Sequence, residues 1–457
     1  MEANSLNRSE WQAGISLASV YVLRMLGLFM VIPVIAVAAV AYPDYSPLWV
    51  GLAIGGYGLT QAVFQIPMGL LSDKWGRKPV IYIGLFLFAT GSLIAGLADS
   101  MWLLTIGRIV QGSGAIAGAI MALASDVTRE SQRTKIMALI GISIGFSFYI
   151  ALLLGPLIAA NFGMQGIFLI TAGFSLLCIP LIRFGINNVG VNGPSGDSLP
   201  KTTQLASLFK HKHLWRLNWS VLVVHLLITC FFVQVPVMLV NIDVPLSEHW
   251  TLYSVVLFTS VLGLIALIKL ADKLPISASF RVALLCMASA FVLLLVHTTS
   301  WAAIAISGIL FFTGFNFLEA KMPAMVSSIA PAGSKGSAMG IFASHQFLGA
   351  FLGGLLSGLL NSYFSPQYTF MMCLVVIFLL SLIAKGLTST EQIKRVTLKF
   401  ESNRFSQQSL RNLRDQINSI SGVKEVVADV SEGAMYLKVD AKTFDLTQAQ
   451  SLITAQY

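Results

Sequence analysis

Two stretches of this chain, Ile136 to Ile182 and Gly336 to Ala384, run for 47 and 49 residues without a single Asp, Glu, Lys or Arg. A soluble domain carries about 25% charged residues; this chain carries 11%, with 56% hydrophobic residues and a mean hydropathy of +0.79. Apolar spans recur at 12–41, 48–71, 79–98, 101–124, 136–160, 166–185, 215–240, 249–268, 282–300, 302–327, 337–360 and 367–385. Each reaches the ~20 residues that a helix needs to cross a bilayer core. The expectation is an all-α polytopic membrane protein with twelve transmembrane helices.

The connections alternate in sign. Lys74, Arg77 and Lys78 lie in the second, Arg129, Arg133 and Lys135 in the fourth, and Lys201, Lys210, Lys212 and Arg216 in the sixth. Lys269, Lys273 and Arg281 follow in the eighth and Lys335 in the tenth. Odd connections hold no Lys or Arg, only acids such as Asp44, Asp99, Asp243 and Glu248. The positive-inside rule then sets both termini and every even connection in the cytoplasm. Topology accounts for the net charge of +9, so no nucleic-acid partner is expected. Cys178, Cys230, Cys286 and Cys373 have neither metal-ligand nor disulfide spacing. No hydrolytic triad, metal-ligand set or nucleotide loop is visible. An enzyme is therefore not expected, nor a metal or cofactor.

Six spans precede and six follow a polar, Gly- and Pro-containing segment, which divides the chain into 1–186, a cytoplasmic linker 187–213 and 214–386. Leu71-Ser72-Asp73-Lys74 and Leu270-Ala271-Asp272-Lys273 occupy the same place in each half, a trace of duplication. Charge returns in 391–457. There, Val396, Leu398 and Phe400 alternate with polar residues as in a half-buried strand, and Leu410, Leu413, Ile417 and Ile420 share a helical face. Val426 and Val430 suggest a second strand. A Ser431-Glu432-Gly433 turn leads to a third, with Met435, Leu437 and Val439 inward, and Phe444 to Ile453 suggests a closing helix. This βαββα order resembles a ferredoxin-like domain lacking its last strand. Residues 386–457 have no cysteine, which argues against thiolate metal binding there.

Gly69-Leu70-Leu71-Ser72-Asp73-Lys74-Trp75-Gly76-Arg77-Lys78 is a compact charged turn between two apolar spans. It resembles the loop between helices 2 and 3 of the major facilitator superfamily, Gly-x-Leu-x-Asp-Arg/Lys-x-Gly-Arg-Arg/Lys, at every diagnostic position. The resemblance implies that Arg77 pairs with Asp126 and that Gly69, Asp73, Gly76, Arg77, Lys78 and Asp126 form a latch between the halves. Asp73 ends its own helix where a carboxylate is poorly placed for the helix dipole, and the span starting near Gly336 is its expected partner. Gly107-Arg108-Ile109-Val110-Gln111-Gly112 resembles the family's Arg-x-x-Gln-Gly motif, whose arginine is associated with proton coupling. Gly141, Gly145, Gly155 and Pro156 resemble its antiporter motif, although Ala159 and Ala160 stand where another glycine is usual. Tyr57 to Ala62 and Gly340 to Gly349, with the C-terminal domain, narrow the resemblance to the YajR-type inner-membrane transporters of Gram-negative bacteria. It implies a bacterial inner-membrane, proton-linked exporter, with the substrate between the halves near the midplane.

Glu319 is the one acid clearly inside a span, where an ionisable group is costly and usually functional. A carboxylate there can take a proton from one side and release it to the other, biased by Arg108. A static ion pair with Arg24 or Lys321 is the bland alternative. Arg24, Gln61, Gln65, Gln111, His225, Gln234, Asn316 and Gln346 together are candidate lining for a small-molecule cavity, although a polar residue in a span, taken alone, more often serves helix packing. Two buried arginines against one glutamate keep open an anion exchanger or uptake carrier. A membrane sensor relaying through 391–457, with a cytoplasmic regulator as partner, is the third reading.

Overall fold

The computed structural model describes residues 6–129, 132–186, 207–332, 334–387, 393–400, 407–429, 433–440 and 443–454. Most of the expected linker, and Val430, Ser431 and Glu432, lie outside these residues. α1 (Arg8–Phe29) opens on a reciprocal cap. Asn7 Oδ1 accepts from Glu10 N at 2.8 Å, and the Glu10 carboxylate accepts from Asn7 N at 2.9 Å, satisfying two donors that a helix start leaves orphaned. The helix breaks at Met30 and Val31 and resumes as α2 (Ile32–Ala38), where Pro33 has no amide hydrogen to donate. α3 (Pro47–Trp75) turns into α4 (Arg77–Gly96) at Gly76. The φ of +90° there favours a residue without Cβ.

α5 (Met101–Ser113) and α6 (Ala117–Asp126) are two pieces of one span, separated at Gly114 to Ile116. Asp44, in the turn before α3, caps α5 by accepting the amides of Met101 and Trp102 at 2.6 and 3.2 Å. Those hydrogen bonds, the Met101 amide foremost, hold its carboxyl below the usual carboxylate range. α7 (Arg133–Gly185) is 53 residues long and interrupted only at Gly163, φ +66°. Then follow α8 (Lys212–Asn241), α9 (His249–Ala271), α10 (Ile276–Val296), α11 (Trp301–Ile329), α12 (Lys335–Tyr363) and α13 (Pro366–Ala384).

Ten helical stretches among the described residues are long and apolar enough to cross a membrane. They take 135–185 as one and do not include α3, whose Tyr57, Thr60, Gln61 and Gln65 interrupt its apolar run. The basic connections gather at one end of the helices, termed here the basic end, and the acidic ones at the other, the acid end.

The helices through α7 share cores around Leu17, Leu85 and Ile116, and around Val34, Ala53 and Phe168. The helices from α8 to α13 enclose an aromatic core in which Phe231 stacks on Phe311 at 4.6 Å. Glycines bring the halves together along α3 and α12. A Cβ on Gly354 would lie 2.5 Å from the Gly51 carbonyl, and one on Gly358 would lie 2.8 Å from that of Pro47. No side chain fits there. On the other side, Leu152 of α7 sinks into the aromatic half with Phe148, Tyr149 and Leu153. Two turns nearer the basic end, nothing stands within 4 Å of where a Cβ on Gly141 or Gly145 would be. Along α7, Leu152 is thus packed against the aromatic half while Gly141 and Gly145 face open space.

After α13 come β1 (Ile393–Lys399), α14 (Gln407–Asn418), β2 (Val423–Asp429), β3 (Ala434–Asp440) and α15 (Leu446–Thr454). The sheet is antiparallel in the order β1-β3-β2. Leu398, Leu410, Leu413, Ile417, Ile420, Met435, Leu437 and Val439 form its core. The opposite face of β3 is covered as well, since Ala434 and Tyr436 rest on Ala332 in the α11–α12 turn. Lys438, only 8% exposed, donates to the carbonyl of Ile329 at 2.8 Å and pairs with Glu425 at 3.4 Å. An ammonium is well matched to the orphaned carbonyls and negative dipole end of a helix.

Candidate functional site

Near mid-length of the aromatic half, three helices present one polar side chain each. At 1.5 Å per residue, His225 on α8, Gln346 on α12 and Glu319 on α11 all lie about 15–20 Å from the basic ends of their helices. The His225 Nδ1 hydrogen is held by the Val221 carbonyl at 3.1 Å, which leaves Nε2 as an acceptor. Gln346 Nε2 donates to it at 2.7 Å and also reaches Glu319 Oε1 at 3.3 Å. The other carboxylate oxygen, Glu319 Oε2, is buried without a hydrogen-bond partner and stands 3.9 Å from His225 Nε2. Neither Arg24 nor Lys321 is among Glu319's partners; a histidine and an amide are. One turn toward the acid end of α11, Asn316 donates to the Tyr149 hydroxyl across the halves at 3.0 Å and contacts Ser260 Oγ at 3.5 Å.

The two buried arginines belong to the other half, and their partners do not overlap with those of Glu319. Arg108, 2% exposed, donates to Gln111 Oε1 at 2.5 Å and to the Ala53 carbonyl at 3.2 Å, with its guanidinium 4.7 Å over the Tyr57 ring. Gln111 continues to Ser92 Oγ at 2.9 Å. Arg24, also 2% exposed, donates to the Gly114 carbonyl at 3.0 Å and lies 3.5 Å from Gln61 Oε1. Gln61 donates in turn to Gln65 at 3.3 Å. Gly114 is where α5 breaks, so Arg24 reaches a carbonyl outside the helical ladder, and Tyr21 donates to the carbonyl of Ala117, the first residue of α6, at 2.9 Å. Arg24 thus belongs to the interior of its half, although Nε and Nη1 keep no partner. Gln234 is likewise distant from Glu319. It donates to Asn361 at 2.9 Å, between α8 and the acid end of α12.

At the basic end, Arg77 is a hub. It donates to Asp126 at 3.0 Å, to Ser72 Oγ at 2.8 Å and to Asp73. Lys78 reaches the Ile186 carbonyl at 2.8 Å. Asp73 pairs within its own half, through Arg77. Gly69 lies in the last turns of α3. In the antiporter-like segment, Gly155 presses on the Met30 carbonyl where α1 breaks, while Gly145 faces open space. Pro156 follows inside α7.

A second clamp is not foreseen by any motif in the residues. The buried Glu10 carboxylate receives Arg129 Nε, Nη2 and backbone N at 2.8, 2.8 and 2.9 Å, tying the start of α1 to the turn after α6. The glutamine variant Glu10→Gln is expected to lower the thermal unfolding midpoint in detergent by roughly 2–4 °C. An unchanged midpoint would mean that the clamp contributes nothing.

Residues 17–320 and 249–416 match the family model of the Major Facilitator Superfamily. The chain is 36% identical over 456 residues to the inner membrane transport protein YajR of Escherichia coli K12, covering 98% of this chain and 99% of that one. It is 30% identical over 171 residues to the class H tetracycline resistance protein of Pasteurella multocida, 36% of this chain and 42% of that one. Among solved structures, a bacterial homologue of the human lysosomal transporter Spinster, inward-facing and unoccupied, superposes with a TM-score of 0.67. It covers 83% of this chain and 97% of its own at 14% identity, a likeness of fold.

Proposed function

The chain belongs to the Major Facilitator Superfamily, a family of membrane transporters and not of enzymes, and we propose that it exports small amphipathic molecules in exchange for protons. Glu319 carries this reading. It is a carboxylate at mid-span with one buried oxygen unpartnered and a neutral imidazole nitrogen 3.9 Å away, an arrangement that can accept a proton and give it up. Partial similarity to a tetracycline resistance protein supports export as the direction.

The chain crosses the bacterial inner membrane twelve times: the ten apolar stretches, with 135–185 crossing twice about Gly163, and α3. Both termini are cytoplasmic, so the basic end faces the cytoplasm. The two halves, 1–186 and 214–386, rock about the contacts of α3 with α12 and of α7 with the aromatic half. Arg108 biases the proton site from the other half, and the Arg77 hub steadies the cytoplasmic side of its own half. Residues 391–457 are a ferredoxin-like domain that regulates helix movement, a reading supported by its strand order and its seat on the α11–α12 turn. A second reading, exchange of an anion, is favoured by Arg24 and Arg108, which are buried without a carboxylate partner among the described residues.

Proteoliposomes under an imposed proton gradient test the proposal. Cationic, neutral and anionic compounds are added while lumenal pH is followed. Compound-dependent proton release is expected in the wild type and a fall of about tenfold or more in Glu319→Gln. Release driven only by anions would select the second reading. Release undiminished in Glu319→Gln would sink the proton role of this carboxylate.

A further inference from the structure

Gln346 stands between the two titratable groups, and one nitrogen serves both. Its Nε2 is 2.7 Å from His225 Nε2 and 3.3 Å from Glu319 Oε1. His225 cannot present its other nitrogen instead, because Nδ1–H is held by Val221 at 3.1 Å. The contact with Gln346 therefore exists only while His225 Nε2 carries a lone pair. A proton taken from water onto Nε2 makes that nitrogen a donor, and two donors cannot stay 2.7 Å apart. Rotating the amide by half a turn would satisfy the imidazolium but set Gln346 Oε1 against the Glu319 carboxylate. With Glu319 ionised, the imidazolium instead closes on Oε2 and the amide is expelled.

The same helix carries one of the contacts between the halves. Two residues before Gln346, Ser344 donates to the Ala62 carbonyl of α3 at 3.1 Å, and positions two apart point to different faces of a helix. α12 thus shows one face to the proton pair and the other to the opposite half, against which it is pressed through Gly354 and Gly358. Among the described residues, two side-chain hydrogen bonds join the halves, those of Ser344 and Asn316. Asn316 lies one turn from Glu319. Other titratable groups on the surrounding elements are turned elsewhere or act at one remove. Tyr149 of α7 contacts Asn316. His345 of α12 bonds its own helix at Ile341, 2.8 Å away. Lys321 leaves α11 on a different face from Glu319, and α9 contributes Ser260.

We propose that Gln346 is a positioning residue that acts as an interlock: its amide holds α12 in the arrangement seen here while His225 is neutral, and proton arrival at His225 ejects it and frees α12 to move against α3. This rests on the transporter reading and adds to it the element that converts a proton into motion.

The test uses full-length protein in nanodiscs with spin labels at Lys74→Cys and Lys273→Cys, exposed positions at the basic ends of the two halves. The distance distribution is recorded from pH 5 to pH 9. The wild type is expected to pass between two populations. In Gln346→Met, which keeps length without the amide, and in His225→Gln, the pH-dependent change is expected to shrink about tenfold. Each variant is first checked for an unchanged elution profile and unfolding midpoint, so that a misfolded protein is not counted. A Gln346→Met curve matching the wild type overturns the interlock. So does a wild type whose distances ignore pH while its vesicles still release protons with compound, which leaves the transporter reading intact. Absence of compound-driven proton release defeats that reading instead, and is scored on the vesicles alone.

Discussion

Gly354→Val is expected to cut transport by at least about tenfold while the protein stays folded. The added Cβ would lie 2.5 Å from the Gly51 carbonyl and 3.1 Å from the Gly55 amide nitrogen. These are backbone atoms of α3, which cannot swing aside as a side chain can. Forcing extra carbon into a packed contact costs about 1–3 kcal/mol where neighbours relax, and each 1.4 kcal/mol is a factor of ten in a population. The variant's simplest relief is to hold the halves apart at the acid end. The distance between spin labels at Tyr45→Cys and Tyr363→Cys, exposed positions of the two halves at that end, should lengthen as turnover falls. Wild-type turnover with an unchanged distance would show that this contact is not made in the working cycle.

Arg77→Ala should be the most damaging change at the basic end. It removes the partner of Asp126, whose side chain is 18% exposed, and the partner of Asp73. Breaking a buried pair by deleting one member costs more than the pair contributes, and partial exposure brings the expected loss to about 2 kcal/mol. Lysine should not rescue it, since a point charge cannot reach Ser72, Asp73 and Asp126 together as the planar guanidinium does. Thermal unfolding of Arg77→Ala, Arg77→Lys and Asp126→Asn in detergent checks this. An Arg77→Lys protein as stable as the wild type would mean that charge, and not the fork, is what the turn needs.

Much of this was legible in the residues, and what was not had a physical cause. Long uncharged runs announce membrane helices, and the Arg77–Asp126 pair was implied by the likeness of the Gly69–Lys78 turn to the major facilitator loop. Glu319 stood out as the lone acid inside a span. Its partners did not, because His225, Gln346 and Glu319 are separated by 94 and 27 positions, and which faces of α8, α11 and α12 turn together is set by packing. Arg24 looked like cavity lining. Its bond to the Gly114 carbonyl follows from a helix break whose place depends on how Gly114 packs against Gly84. Lys438 fell on the polar side of a strand whose alternation describes one covered face; the second cover is a turn about a hundred residues earlier in the chain.

That second cover has a consequence outside the bilayer. The small sheet follows α13 in the chain, and Lys438 fastens it to the last carbonyl of α11. For as long as that bond holds, a tilt or twist of the end of α11 is handed to the sheet, as a needle on a dial follows a hidden spindle. The exposed rim of the sheet, Lys424 for one, would sweep farther than the helix end that drives it, simply because it is farther from the pivot. A displacement too small to read inside the membrane would be legible there.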